Sequence, residues 1–189
     1  MKKSFVLFLF IAVSFLVHQD AQAQSLKIGI GGGLSSVQSP SYYTDAAGFS
    51  SEYHIGIKGK LSVPVIPITP IGFIEYHFFR GKTAVGDADT KQNILSIGVG
   101  GELSLLPGPL SPYLGLDIEF NSLGDFETTG APTASGVSRM GLGIGAGVML
   151  TLLPIDFDVS LKYQMLNLFG KESGEETIGI INLNAAIFF

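Results

Sequence analysis

The last eleven residues of the chain alternate in character with a period of two. Every second residue is apolar or small, and these residues are Gly179, Ile181, Leu183, Ala185, Ile187 and Phe189. The residues between them include the polar Asn182 and Asn184. Successive side chains of a β-strand point to opposite faces, so this period predicts a strand with one apolar face and one wetter face. The pattern recurs seven more times upstream, and we therefore predict an all-β chain.

The alternation defines eight predicted strands of similar length. Each is about as long as the ~9–11 residues with which a tilted strand crosses an outer membrane. One face of every strand is almost free of charge, whereas charged groups, glycine and serine gather on the other. The predicted strands cover residues 26–34, 53–63, 71–79, 94–105, 112–121, 139–151, 156–165 and 179–189.

The N-terminus has the features of an export signal. A positive start, Met1-Lys2-Lys3, precedes an uncharged apolar run over residues 4–17 and the small-x-small sequence Ala21-Gln22-Ala23. We predict a cleaved signal peptide at 1–23 and a single mature domain at 24–189. The alternative is a retained membrane anchor, but the run is shorter than the ~20 residues that a spanning helix needs.

The composition excludes several kinds of site. The chain has no cysteine, so neither disulfides nor thiolate metal sites are available. Its net charge of −5 leaves no clustered basic surface for nucleic acid. We expect no cofactor and no metal. After the N-terminal run, no apolar segment is long enough for a membrane helix, yet 46% of the residues are hydrophobic.

A hydrophobic exported chain without helical spans can still cross lipid as a closed barrel, because closure pairs every backbone N–H and C=O. We predict an eight-stranded antiparallel up-and-down transmembrane β-barrel. Its short periplasmic turns are proline-rich, at 64–70, 106–112 and 152–155. Its long extracellular loops are polar, at 35–52, 80–91, 122–138 and 167–176. The alternative, a soluble ligand-binding barrel of the lipocalin kind, would turn its charged face to the solvent.

The final strand, its terminal aromatic residue, the strand number and the export signal together resemble the small outer-membrane β-barrel family of Gram-negative bacteria. The resemblance implies a location in the cell outer membrane, a monomer, and contact with membrane lipid and lipopolysaccharide. It also implies an assembly signal read by the barrel-assembly machinery, carried here by Phe189, Ile187, Ala185, Leu183 and Ile181. The chain has no tryptophan, so tyrosine and phenylalanine would form the aromatic girdles at the membrane surfaces.

The charged face predicts a network inside the barrel. An eight-stranded barrel is just wide enough for side chains to fill it, and unpaired charges there are costly. The alternation therefore predicts paired charges across the lumen, formed by Lys27, Lys58, Lys60, Glu75, Glu102, Asp117, Glu119, Arg139, Asp156, Asp158 and Lys162.

Glycine on the inward faces of several predicted strands has more than one explanation. Long side chains of neighbouring strands could fill the space above it, or a narrow wet channel could follow the glycine wall. Glycine also permits the strong coiling that a small barrel needs. The residues alone leave these alternatives open.

Three functions fit this pattern. The first is a structural or surface-interaction barrel whose lumen is plugged by paired charges and whose acidic loops carry recognition. The second is a narrow, porin-like passive pore for small solutes or ions. The third is a lipid- or peptide-modifying enzyme, for which His54 and His77, near Glu52 and Glu75, are the candidate hydrolase-type site. We predict that the chain is not an enzyme, since no serine lies beside a histidine in a recognisable nucleophile motif.

Overall fold

Eight long strands close into one antiparallel barrel, and a two-residue strand pairs with it at one end. The computed structural model describes residues 25–63, 67–84, 86–152 and 154–189. The predicted signal peptide lies outside the described residues and stays a prediction. The strands are β1 (Ser25–Ser39), β2 (Ser51–Ser62), β3 (Ile68–Lys82), β4 (Asp89–Ser104), β5 (Leu110–Leu123), β6 (Glu127–Thr128), β7 (Val137–Leu152), β8 (Ile155–Phe169) and β9 (Gly179–Phe188).

Neighbours in sequence are neighbours in the barrel, and β9 returns to pair with β1. Phe189, the last residue, extends this pairing, because its N–H donates to Ile28 O and its own O accepts from Ile28 N, each at 3.1 Å. The predicted eight-stranded antiparallel up-and-down barrel is therefore confirmed. Among the described residues, no helix is long and apolar enough to span a membrane; a π-helical turn (Tyr42–Ala46) lies in the loop between β1 and β2.

The two ends of the barrel differ. At the turn end, the connections 105–109 and 153–154 are short, whereas at the loop end the connections 40–50, 124–136 and 170–178 are longer. The loop predicted at 80–91 is reduced to residues 83–88, because β3 and β4 take up its two ends. The strands extend further towards the loop end than predicted, because hydrogen-bond pairing continues beyond the apolar alternation.

Of the proline residues at the turn end, Pro70 lies differently from the prediction, because it belongs to β3 rather than to a turn. Pro112 lies in β5, as the predicted strand 112–121 has it, although β5 begins two residues earlier. Proline lacks a ladder donor and is therefore tolerated near a strand start. Pro112 still contributes its carbonyl, which accepts from Leu105 N at 2.8 Å.

The outward face is apolar along the middle of every strand. Leu116, Ile144 and Val99 are more than half exposed, whereas Asp117, which follows Leu116 in the sequence, is 4% exposed. A soluble protein of this size rarely leaves so continuous an apolar surface uncovered. The pattern is that of a barrel whose outer surface faces lipid.

Inward glycines lie directly opposite bulky side chains on the neighbouring strand. Gly98 is paired with Phe73, Gly147 with Tyr113, and Gly29 with Phe188. A Cβ added at Gly98 would lie 2.3 Å from Phe73 Cζ, so the ring occupies the space that a side chain would take. This is the arrangement in which an aromatic ring covers a cross-strand glycine. At these positions the glycine faces are filled by neighbouring side chains.

We expect Gly98→Ala to destabilise the folded barrel by about 1–3 kcal/mol, because the added methyl group overlaps the Phe73 ring. Gly115→Ala is the matched control, since the nearest atom to a Cβ there, Glu102 Cγ, is 3.8 Å away. The measurement is the urea dependence of unfolding in lipid vesicles. Equal midpoints for the two variants would contradict this account of the glycine positions.

Candidate functional site

The lumen gathers almost all of the charged residues that the alternation placed there. Lys27 and Asp156 form a pair near the turn end. The other inward charges form two clusters further inside. The inward residues are Lys27, Lys58, Lys60, Glu75, Glu102, Asp117, Glu119, Asp156, Asp158 and Lys162.

The first cluster, here called the Lys60 cluster, joins four strands, β2, β4, β5 and β8, across the lumen. Lys60 Nζ lies 2.7 Å from Glu102 Oε2 and also pairs with Asp158. Lys58 Nζ lies 2.5 Å from the other oxygen of Glu102, and the Tyr113 hydroxyl donates to Asp158 Oδ1 at 2.7 Å. Lys60 is 3% exposed, so these charges are buried and paired. Removing one partner would leave a buried charge without compensation.

The second cluster surrounds Lys162 and contains more negative than positive groups. Lys162 Nζ lies 3.0 Å from Glu119 Oε1, 3.5 Å from Asp117 Oδ1 and 3.7 Å from Glu75 Oε2. The same ammonium lies 3.8 Å from the centre of the Phe73 ring, a cation–π distance. A single lysine therefore holds three carboxylates together in the interior of the barrel. We call this the Lys162 cluster.

A cavity of about 60 Å³ lies between the two clusters. Lys58 and Glu102 line it from one side, and Lys162, Glu75 and Asp117 from the other. A water needs roughly 10–15 Å³ of such volume and two or more polar partners, so the cavity has room for about four waters. Among the described residues, no group of three or more His, Asp or Glu side chains could hold a metal ion.

Ser35 lies between the two candidate histidines. Its Oγ is 2.8 Å from His54 Nδ1 and 3.0 Å from His77 Nδ1, and His54 Nε2 is hydrogen-bonded to Asn184. His77 Nε2 lies 3.8 Å from Glu75 Oε2. Sequence reasoning missed Ser35, because it is separated from the histidines by 19 and 42 residues and meets them only through the pairing of three strands. Ser35 and His77 are each 0% exposed.

An apolar cluster lies at the loop end of the barrel. We call it the apolar cap, and sequence reasoning missed it as a unit. Phe49 and Phe79 are 1% and 2% exposed, with ring centres 5.9 Å apart. Tyr43 and Phe126 pack against the cluster from the loops. The buried members are Val37, Ala47, Phe49, Phe79, Ile94, Leu123, Leu166, Ile178 and Ile180.

Hydrogen bonds hold the loop 40–50 over this cap. The Thr90 hydroxyl donates to Ala47 O at 2.6 Å, and Phe49 N donates to Tyr43 O at 2.9 Å. Burial raises the pKa of Tyr43 to about 12, so its phenol stays neutral against the apolar rings. Burying one phenylalanine side chain contributes about 1.5–3 kcal/mol, so the cap is a strong anchor for the loop.

Arg139 requires a correction, because it does not join the lumen network. It lies at the loop end of β7, where its Nη2 donates to Glu175 Oε2 at 2.8 Å and its Nε lies 3.0 and 3.1 Å from the Glu175 oxygens. Asn167 Nδ2 donates to Glu175 Oε1 at 2.7 Å. Glu172 contributes its N–H to Glu175 and its carboxylate to Arg139. These four residues, here called the loop clasp, tie the loop 170–178 to the barrel rim.

The predicted assembly residues share the outward face of β9. Leu183 and Ile187 are 49% and 41% exposed, and Phe189 is 63% exposed. Their position is compatible with recognition from the lipid side, while their role in assembly stays a prediction.

The sequence profile of the family described as "Outer membrane protein beta-barrel domain" matches residues 7–187 of this chain. No curated protein sequence matches this chain.

Solved structures share the fold at low sequence identity. Neisserial surface protein A is 17% identical with a TM-score of 0.64, over 88% of this chain and 98% of that one. Ail of Yersinia pestis, solved with the heparin analogue sucrose octasulfate, is 17% identical with a TM-score of 0.55, over 89% and 100% of the two chains. The N-terminal β-barrel domain of Pseudomonas aeruginosa OprF is 13% identical with a TM-score of 0.50, over 90% and 100%.

We expect Lys162→Met to lower the free energy of unfolding by about 3–5 kcal/mol, because three buried carboxylates would lose their counterion. Lys82→Met is the matched control, since its ion pair with Asp87 is exposed and should contribute nothing measurable. Urea unfolding in vesicles, followed by far-ultraviolet circular dichroism, measures the unfolding midpoint of both variants. A Lys162→Met midpoint equal to that of the control would show that the Lys162 cluster does not stabilise the barrel.

The loop clasp predicts a pH dependence. The hydrogen bonds from Arg139 lower the pKa of Glu175 from its ordinary 4.5 to about 2. Because the folded-state pKa is depressed, ionised Glu175 stabilises the closed loop fully above pH 4.5, and this contribution is lost as the pH falls towards 2.

We expect Arg139→Gln to raise the pKa of Glu175 towards 4.5, as measured by carbon NMR titration of the carboxylate. Lys171→Gln removes a positive charge from the same loop without removing a Glu175 partner, and should leave the midpoint unchanged. A wild-type midpoint near 4.5 would contradict the clasp.

Proposed function

Because the chain belongs to the outer membrane protein β-barrel family, and so lies in the cell outer membrane, we propose that it is a closed barrel with a structural and surface-interaction role. In this proposal the lumen does not conduct, and the loops at the extracellular end make the contacts. The single observation that carries the proposal is the apolar cap at the loop end of the lumen.

Two successive barriers support a closed lumen. The side chains of the apolar cap are aliphatic and aromatic, so an ion among them would lose hydration that these side chains do not replace. Beneath the cap, the Lys162 and Lys60 clusters occupy the lumen with side chains that already pair with one another. Bulky side chains cover Gly29, Gly98 and Gly147, three of the inward glycines on which the pore alternative was based.

The loops supply the surface for interaction. They carry more acidic than basic residues, with Asp45, Asp125 and Glu176 among the former and Lys171 among the latter. The structure of Ail contains the sulfated compound sucrose octasulfate. The acidic loop tips of this chain are unfavourable for a soluble polyanion, so we propose a neutral or cationic partner for them.

The enzyme alternative receives less support. A hydrolase needs its nucleophile to meet a substrate, whereas Ser35 is fully buried beneath the apolar cap. We propose that Ser35, His54 and His77 form a hydrogen-bonded link across β1, β2 and β3.

We also propose that the protein is a monomer that contacts membrane lipid and lipopolysaccharide and that binds the barrel-assembly machinery during its assembly.

The test is single-channel conductance of the refolded protein in a planar bilayer, with insertion verified independently by heat-modifiable gel migration. We expect a silent barrel. Stable, salt-dependent openings of the wild type would overturn the proposal and favour the pore.

A double variant, Phe49→Ala with Phe79→Ala, removes two rings from the cap. Phe120→Ala is the control, because it removes the ring of an outward residue that is 51% exposed. Openings confined to the first variant would identify the cap as the seal.

A further inference from the structure

Asp117 and Glu119 bring two buried carboxyl groups together on one face of β5. They are two residues apart, so both side chains point into the lumen, where they are 4% and 1% exposed. A Cβ added at Gly143, on the neighbouring strand β7, would overlap Asp117 Oδ1 and lie 2.8 Å from Glu119 Oε1. Both carboxyl groups therefore lie over the same glycine, and they are in hydrogen-bonding contact with each other.

The positive charge around this carboxyl pair is too small for both groups to be ionised. Within the described part of the chain, Lys162 is the one lysine or arginine at ion-pair distance from them, and it also contacts Glu75. Three carboxylates around one lysine would leave two excess negative charges in the interior of the barrel. Two ionised carboxylates in contact repel each other strongly where water does not screen them, so such pairs bind one proton between them.

The two oxygens of Glu119 differ in their partners. Oε1 accepts a hydrogen bond from Gln164 Nε2 at 2.7 Å and lies 3.0 Å from Lys162 Nζ. Oε2 is equally buried, and no donor among the described residues reaches it. An ionised oxygen that is buried without a donor is costly, whereas a protonated Oε2 is itself a donor and can bond to the Asp117 carboxylate.

The remaining titratable groups at this level of the lumen do not offset the excess charge on the pair. On β2, Lys58 is already paired with Glu102 at 2.5 Å, and the His54 ring is hydrogen-bonded at both of its nitrogens. On β3, His77 lies 3.8 Å from Glu75, so a charge on its ring would compensate that carboxylate and not the pair. The inward residues that β4, β7 and β9 place opposite the pair and Lys162 are neutral.

We propose that Asp117 and Glu119 share one proton in the folded barrel, which makes the Lys162 cluster a proton-binding site inside the lumen. The proton resides on Glu119 Oε2 and forms a hydrogen bond to the Asp117 carboxylate, so that Lys162 faces two negative charges instead of three. In the unfolded chain both groups are ionised at neutral pH, and folding therefore takes up one proton. The folded barrel loses stability as the medium becomes alkaline, because the native state binds more protons than the unfolded state.

The first test is the infrared spectrum of the refolded protein in lipid vesicles at neutral pH. A protonated carboxyl group has a carbonyl stretching band that ionised carboxylates lack. We expect the wild type to show this band, and Glu119→Gln and Asp117→Asn to lose it. Glu172→Gln is the control and should retain the band, since the Glu172 side chain is 81% exposed. A wild type without the band, or a band that persists in both lumen variants, would overturn the proposal.

The second test is urea unfolding in vesicles from neutral pH to about pH 9, a range in which the histidines of the unfolded chain are already neutral. One proton taken up on folding raises the wild-type unfolding equilibrium constant by up to about tenfold per pH unit. The Glu119→Gln amide keeps a donor to Asp117 and takes up no proton. Its unfolding constant should therefore lie within about tenfold of the wild type at neutral pH, without this dependence on pH.

Glu102→Gln is the matched control for the second test. Glu102 is buried to a similar extent, 4% exposed, and its two oxygens pair with Lys58 and Lys60. An amide cannot replace this ionised group, so the unfolding constant of Glu102→Gln should rise by more than about a hundredfold. A Glu119→Gln variant as unstable as Glu102→Gln, or one that keeps the wild-type pH dependence, would show that Glu119 is ionised and would contradict the proposal. Neither test measures conductance, so this proposal and the closed lumen fail independently.

Discussion

In lipid, an unpaired backbone N–H or C=O group has no water to bind, so a sheet that enters the membrane has to close on itself. In this chain the closing step is the pairing of β1 with β9, completed by the reciprocal hydrogen bonds of Ile28 and Phe189. The last residue therefore belongs to the closure itself. Every other feature of the barrel depends on this ring of hydrogen bonds, since an open sheet would leave two unpaired edges in the hydrocarbon.

Closure with eight strands also determines what can lie inside. The lumen is narrow, so inward side chains have to share it by size and by charge. Large side chains fit because a glycine stands opposite them, as where Phe73 covers Gly98 and Tyr113 covers Gly147. Negative charges are compensated by lysines that each contact several carboxylates, and Lys162 contacts three. The polar interior and the apolar exterior reverse the usual arrangement of a soluble domain, because the outer surface of this barrel faces lipid instead of water.

The two ends of the barrel meet different surroundings and differ accordingly. At the loop end, rings from loops and strands meet over the lumen in the apolar cap, while the loop clasp of Arg139 and Glu175 holds another loop to the rim. On the outside, the girdle of Tyr53, Phe78 and Tyr76 gives way within one step along β3 to Arg80. The change from apolar to aromatic to cationic follows the change from hydrocarbon to headgroup across the outer leaflet.

The amino-acid sequence by itself determined the strands and their faces. A period of two is a local property, so Asp117 and Lys162 could be placed in the lumen and Leu116 on the lipid side without knowledge of any contact. The N-terminal signal and the assembly role of Phe189 remain predictions from the sequence.

Only the tertiary structure decided which inward residues meet. Arg139 follows the inward alternation, yet its partner is Glu175, because the loop 170–178 folds back onto the rim. Ser35 meets His54 and His77 through three strands in register, and the apolar cap joins Phe49 of a loop to Phe79 of β3. Register, strand tilt and loop return are set by closure of the whole sheet, and no local pattern encodes them.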